Sequence, residues 1–434
     1  MTQPHTATAD GGDLDAVDFF TDNDLLHDPY DYLAALRDEC PLRREPHHDV
    51  VMVTGYDEGV AIYNDTAQFS SCISVTGPFP GFPVPLDGDL NVEQVSELIA
   101  QHRDEIPFND QLPTFDPPVH TAHRALLSRM LTPKRLKENE DFMWRLADRQ
   151  LDVAITGGRC EFIGDFASPF AMLVIADLLG VPESDHDEFR AALLTEAGTI
   201  GSSEGEQMHH SPLEYLYGKF GEYIQSRRDE PREDVLNGIA AATFPDGSVP
   251  EVIDAVRVAA NLFAAGQETT VRLLSAAVMM IAEDAELQAK LRANRDLIPG
   301  FIEETLRYES PVRGDFRLSK CPVTVGGVDL PAGTTVMLLN AAMNRDPRRF
   351  PEPNTFDIER ANARSHVAFG RGPHACPGAP LARAEGRISL ERLFDRTTDI
   401  RIDEGKHGPA DNRRYSYLPT FILRGLTRLH IEFS

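Results

Sequence analysis

The chain has 434 residues, is 41% hydrophobic and 26% charged, and carries a formal net charge of −27. This is the composition of a globular protein with room for a core that encloses a cofactor, and its acidity argues against nucleic acid or an anionic membrane as the main partner. The five cysteines, Cys40, Cys72, Cys160, Cys321 and Cys376, are scattered without a CxxC pair, so neither a disulfide framework nor a structural zinc site is indicated.

In chain order, "MTQPHTATADGGDLDAVDFF" opens polar and acidic, with no basic patch leading into an apolar segment. No secretory leader is read there, and a cytoplasmic protein is expected. Residues 1–15 lack a periodic apolar face and are expected to be disordered, leaving 16–434 as one domain. Most of residues 28–310 repeats its apolar positions with helical period. Two irregular stretches interrupt it: Cys72 to about Pro118, which includes "TGPFPGFPVPLDGD", and "GTIGSSEGEQMHHS". The segment "HTAHRALLSRMLTPKRLK" holds Arg124, Arg129, Lys134, Arg135 and Lys137 and no acid, a basic island in an acidic chain. The longest apolar runs, "FAMLVIADLLGV" and "LLSAAVMMIA", are too short to span a bilayer.

The strongest helical pattern is "SVPEVIDAVRVAANLFAAGQETTVRLLSAAVMMIAED". Ser248 and Glu251 suit a capping box and Pro250 a first turn. Its apolar residues run nearly all round, as in a helix buried through the centre of a protein, while Arg257, Glu268 and Arg272 speak against a membrane span. Gly266, Thr269 and Thr270 are poor helix formers, so strain or a π-bulge is expected there. Strand signals come late: "VTVGGVDL" as a hairpin turning at Gly326-Gly327, then "TTVMLLN" and "RLHIEF". The fold class is mainly α with a smaller β portion.

"FGRGPHACPG", residues 369–378, places a cysteine among glycines just before a helical pattern in which Leu381, Ala384 and Ile388 share a face. Cys376 therefore stands at a helix N-terminus, where a thiol is expected to ionise readily. The glycines let the backbone approach a flat, bulky object. Such a thiolate is a nucleophile or a metal ligand.

The pattern FGxGxHxCxG followed by LAR resembles the haem-binding signature of the cytochrome P-450 family, matched here by Phe369, Gly370, Gly372, His374, Cys376, Gly378, Leu381, Ala382 and Arg383. The resemblance implies the cytochrome P-450 fold, with its long buried helix crossing the haem. It implies haem b (iron protoporphyrin IX) as cofactor, Cys376 as the axial iron ligand, and Phe369, Gly370, Gly378 and Ala265 beside the macrocycle. "EETLR" supplies Glu304 and Arg307, and "AMNRDPRRFPEPNTFDIER" supplies Arg360, which together match a structural Glu–Arg–Arg cluster. "DPPVHTAHR" aligns His120 and Arg124, and "GDFRLS" aligns Arg317, with His374, as partners of the haem propionates; arginine's planar fork suits carboxylates. "AAGQETT" resembles the family's groove for dioxygen and implies that Glu268 and Thr269 deliver protons there. Glu268 and Arg272 are equally spaced for a plain helix ion pair.

Substrate contacts implied by the family's layout are Phe79, Phe82, Phe263, Ala264, Ala265, Val312, Leu418 and Phe421, all apolar, which favours a terpenoid, steroid or fatty acid. Arg129, Lys134, Arg135 and Lys137 would surround the face where an acidic ferredoxin docks. No flavin or nicotinamide fingerprint is present, so electrons are expected from a separate ferredoxin with its ferredoxin reductase. The expected protein is a monomeric monooxygenase. A peroxide-driven haem-thiolate hydroxylase is disfavoured by the Glu268–Thr269 pair, and a haem-thiolate sensor by a chain that one fold fills.

Overall fold

The computed structural model describes residues 14–86, 88–193 and 211–434. Of the N-terminal stretch expected to be disordered, residues 1–13 lie outside the described residues. Leu14–Ala16 form a 3-10 turn in which Leu14 is buried and Asp15 pairs with Arg43 at 2.8 Å. The segment "GTIGSSEGEQMHHS" also falls outside the described residues, apart from its last position.

A helix of 32 residues, Val252–Glu283, forms the axis of the molecule. Its apolar residues Val256, Ala259, Leu262, Phe263, Val271, Leu274 and Val278 are all buried. Around it lie the helices Ser168–Leu179, Ser211–Asp229 and Ala379–Arg396. The helix starts three residues later than Ser248 suggests. Glu251 is the N-cap, and its amide N–H donates back to the Asp254 carboxylate at 3.2 Å. Ser248 is taken instead by Asp246, whose carboxylate accepts its hydroxyl at 2.6 Å within the turn at Gly247. The expected π-bulge is not there: the helix is α throughout, with the Thr269 hydroxyl donating to the Ala265 carbonyl one turn back at 2.9 Å.

The β portion includes a five-stranded sheet ordered Leu42–Glu45, Val50–Val53, Thr335–Leu338, Asp315–Ser319, Phe69–Ser70, with one parallel pairing between the second and third. Arg159–Glu161, His430–Phe433 and Ile400–Ile402 build a three-stranded sheet. The hairpin Val323–Val325/Val328–Leu330 turns at Gly326 (φ 57°) and Gly327 (φ 83°), the left-handed pair that a tight hairpin demands.

The Pro- and Gly-rich stretch after Cys72 contains a helix that its composition hides, Val92–Gln101. Asn91 and Gln94 form a reciprocal capping box, each bond 3.0 Å, and Val95 and Ile99 bury one face. The helix Pro133–Ala154 lies along Ala379–Arg396, where the guanidinium of Arg392 stands 4.5 Å from the ring of Trp144. Among the described residues no helix is long and apolar enough to cross a membrane.

Candidate active site

The cysteine loop closes on itself when the amide of Cys376 donates to the Phe369 carbonyl at 2.8 Å. Gly370 and Gly372 hold left-handed backbone, φ 63° and 65°. A side chain at Gly372 would stand 2.4 Å from the Tyr63 carbonyl oxygen, so that glycine serves the close approach of the neighbouring helix Tyr56–Asn64 and not that of a flat ligand. Gly378 has ordinary helical dihedrals and caps Ala379–Arg396. The Cys376 thiol receives the amides of Gly378 and Ala379. Burial nevertheless pushes it above its usual range, outweighing those donors, Arg124 and Arg383. This corrects the expectation of a readily ionised thiol: withdrawal from water costs a thiolate more than one helix end returns.

Two observations describe a cavity at this point. Cys376 lies deep among protein atoms and yet its surface is accessible. Ala264 and Ala265, at the middle of a helix otherwise packed into the core, are exposed as well. Accessible surface deep inside a folded chain is what a bulky internal ligand leaves for itself.

Four basic groups gather at the rim. The rings of His120 and His374 lie 3.9 Å apart between centroids. Arg124 donates to the Ala375 carbonyl, and the buried Arg317 donates to the Phe316 carbonyl at 2.6 Å and approaches Asp315 at 3.3 Å. Burial first, then Arg124, lowers the imidazole of His120 to about 4. Burial, Arg317, His120 and Arg124 lower that of His374 to about 2. Two arginines gathered beside two histidines form a site for carboxylates, and haem carries two. The residues present therefore fit haem: a deep but accessible sulfur, accessible small residues on the central helix, and cations beside the cysteine loop.

Sequence reasoning missed the groups behind this rim. The Ser71 hydroxyl lies 3.2 Å from Nε2 of His374, and Asp116 accepts the Ser71 amide at 2.8 Å and the Ser70 hydroxyl at 2.5 Å. Asp116 opens the "DPPVHTAHR" stretch, so its position was available as a signal.

Glu304, Arg307 and Arg360 come together as expected. Arg307 grips Glu304 through two bonds of 2.6 and 2.7 Å with both side chains wholly buried, and Arg360 adds a third at 3.1 Å. Arg307 also donates to the carbonyls of Asn344, Pro353 and Thr355, tying a long excursion of chain to the helix Ile298–Glu309. Beside it stands a second cluster that the sequence did not announce. Glu303 accepts from Arg383 at 2.5 Å and pairs with His366 at 3.1 Å, and its carboxyl is held at about 2 against the opposing pull of burial. Arg383 lies 4.8 Å from the ring of Phe369, so this cluster steadies the cysteine loop directly.

On the central helix Thr269 is half-buried, while Glu268 is paired with Arg272 at 3.0 Å. Arg272 is anchored in turn on the Leu426 carbonyl at 2.9 Å. The ion-pair reading of Glu268 is thus the one realised in this state.

The expected substrate residues divide. Ala264, Ala265, Val312, Leu418 and Phe82 keep accessible surface. Phe263 does not: it is fully buried against Phe189 and Phe220, turned away from the accessible face that Ala264 and Ala265 present. Phe421 is likewise buried, in an aromatic group with Phe20, Phe316 and Phe79, of which Phe79 alone is open, at 40%. The basic island divides too. Arg129, Lys134 and Lys137 are exposed, although Lys137 pairs with Glu140 and Lys134 with Glu138, acids that begin just past the island. Arg135 is not free for docking, since it caps the end of Ser168–Leu179 by donating to the carbonyls of Asp177 and Leu178 and to the Asp177 carboxylate.

A deep cysteine at the mouth of a helix, a long central helix and a cationic rim define a haem-thiolate protein. The family model described as Cytochrome P450 matches residues 246–398. Cytochrome P450 144 of Mycobacterium tuberculosis is 33% identical over 432 residues, covering 96% of this chain and 91% of the relative. A vitamin D(3) 25-hydroxylase of Pseudonocardia autotrophica is 33% identical over 320 residues, 74% of this chain and 77% of its own. The solved structure of Mycobacterium marinum cytochrome P450 CYP150A6 in the substrate-free form is 53% identical, superposes with a TM-score of 0.91, and is matched over 97% of this chain and 99% of that one. The chain belongs to the cytochrome P450 family. It is a monooxygenase, an oxidoreductase whose cofactor is haem b and which needs dioxygen and a redox partner.

Proposed function

We propose that this enzyme hydroxylates an apolar small molecule of the terpenoid, steroid or fatty-acid class, with electrons from a ferredoxin and its reductase. The observation that carries the reading is the pair of exposed alanines, Ala264 and Ala265, one turn before Thr269 in the middle of a largely buried helix. They offer apolar surface with no hydrogen-bonding side chain, and the name of the Pseudonocardia relative supports a greasy polycyclic substrate. The reaction is balanced as R–H, O2, two electrons and two protons giving R–OH and water.

Haem b, when bound, supplies the activation of dioxygen. Cys376 would hold it through its sulfur, Arg124 and Arg317 would pair with its carboxylates, and His120 and His374 would offer them hydrogen bonds. Thr269 carries the hydroxyl that holds and passes a proton; at rest that hydroxyl is parked on the Ala265 carbonyl. Glu268, one-third exposed and four residues from Arg272, takes protons from solvent when it lets the arginine go. The apolar wall keeps bulk water from short-circuiting this supply. Lys134, Lys137 and Arg129 steer an acidic partner to the face where Arg124 meets the cysteine loop. The unit that does this work spans residues 16–434 as one cytoplasmic monomer.

Optical titration of the ferric haem protein with terpenoids, steroids and fatty acids tests the reading. A blue shift of the Soret band with one of these classes is expected. Shifts only with polar ligands, or a purified protein that takes up no haem, would overturn it.

A further inference from the structure

Accessible residues of the central helix follow one line. Between Arg257 and Ala264 every residue except Asn261 is buried, and from Ala264 to Thr269 none is. Steps of three and four residues carry the line from Arg257 through Asn261 to Ala264, Ala265 and Thr269, so these side chains share one helix face. Asn261 is the first polar side chain met on that face beyond the alanine pair. Its amide donates to Oε1 of Gln111 at 2.5 Å, and the buried Gln111 donates in turn to the Tyr217 hydroxyl at 2.8 Å. These bonds hold the amide in one orientation. Among the described residues the Asn261 Oδ1 accepts no hydrogen bond and its second N–H makes none. An edge with one acceptor and one donor complements a hydroxyl group, which gives and takes at once.

The surroundings disfavour a carboxylate at this point. Asp110 accepts from Tyr217 at 3.0 Å and from Arg257 at 3.2 Å, and Asp254 lies 3.5 Å from Arg257 and 3.6 Å from His123. One guanidinium thus faces two carboxylates, and an anion brought to Asn261 meets no spare arginine or lysine in this group. Spacing sets the reach. Asn261 precedes Thr269 by eight residues, about 12 Å along the helix axis, a distance that a sesquiterpene chain or a steroid skeleton spans.

We propose that Asn261 is a specificity-determining residue: it binds a hydroxyl group of the substrate and so selects a neutral terpenoid or steroid alcohol over a fatty acid. The proposal rests on the reading of Ala264 and Ala265 as the wall of the substrate site. Optical titration of the ferric haem protein with matched probes tests it: farnesol, farnesene and farnesoic acid in one set, androstanol and androstane in the other. At least one alcohol should move the Soret band with a Kd about tenfold below that of its own hydrocarbon, and farnesol should bind more tightly than farnesoic acid. Asn261→Leu should abolish the preference for alcohol over hydrocarbon while leaving the binding of imidazole to the iron unchanged. If that variant weakens both members of a pair alike, the residue is merely structural and the proposal is overturned. Should Asn261→Leu fail to fold, Asn261→Ser, too short to reach the same hydroxyl, is read in the same way. Hydrocarbons or the acid binding as tightly as the alcohols would overturn the hydroxyl anchor and leave the apolar site standing. No shift with any probe would overturn both.

Discussion

On the cysteine side of the central helix, Glu303, Glu304, Arg307, Arg360, Arg383 and His366 join three distant segments through short, charge-assisted bonds, most of them out of water. By contrast, the side chains of Ala264, Ala265, Val312, Leu418 and Phe82 keep apolar surface and make no directional bonds. Forked ion pairs fix geometry, whereas apolar contact is indifferent to orientation and adapts to what it touches. The residues around the cysteine loop are tied by directional bonds, and the apolar residues proposed to meet the substrate are not.

Cutting the directional bonds should hurt most. Glu304→Ala strands Arg307 and Arg360 as buried, unpaired cations and should cost about 3–5 kcal/mol in chemical denaturation. A loss under about 1 kcal/mol would erase the contrast between the two groups. Next comes acidification. His120 and His374 have folded-state values below the usual 6.5, so they stay neutral in the native protein and take up protons on unfolding. Their contribution is present above pH ~6.5 and is lost as pH falls toward about 4, a slope of roughly 1–3 kcal/mol in haem-free protein. His120→Asn should flatten part of that slope, and loading with haem, whose carboxylates would favour the charged imidazoles, should shrink it. Equal slopes with and without haem would detach the rim from the cofactor. The smallest effect belongs to the surface: Lys134→Glu should slow ferredoxin-driven turnover a few-fold at low salt and hardly at all at high salt, because exposed charges are screened. Arg135→Glu should instead lower stability, since it uncaps Ser168–Leu179.

The cysteine loop was legible because its residues are contiguous and each has a local duty. Glu304, Arg307 and Arg360 were legible because helix spacing brings two of them together and the following segment supplies the third. The Glu303–Arg383–His366 cluster was not, since its members are 63 and 80 residues apart in pairs and only the folded chain makes them neighbours. Phe263 illustrates another limit. Composition marks it as apolar, but which side of the helix meets the cavity is set by what packs around it. The same holds for Arg135, a surface cation by count whose partners lie some 40 residues away. The Val92–Gln101 helix was hidden by the prolines before it, although Asn91 and Gln94 spelled out its cap.

Trp144 is the chain's one tryptophan, and it lies against Arg387 and Arg392 of the helix that leads out of the cysteine loop. Its indole emission is therefore a built-in gauge of that contact. Excited near 295 nm, where indole absorbs almost alone (roughly, for any protein), the chain reports from a single address. Binding of a haem near enough to drain that emission can then be followed by light alone, with no label attached.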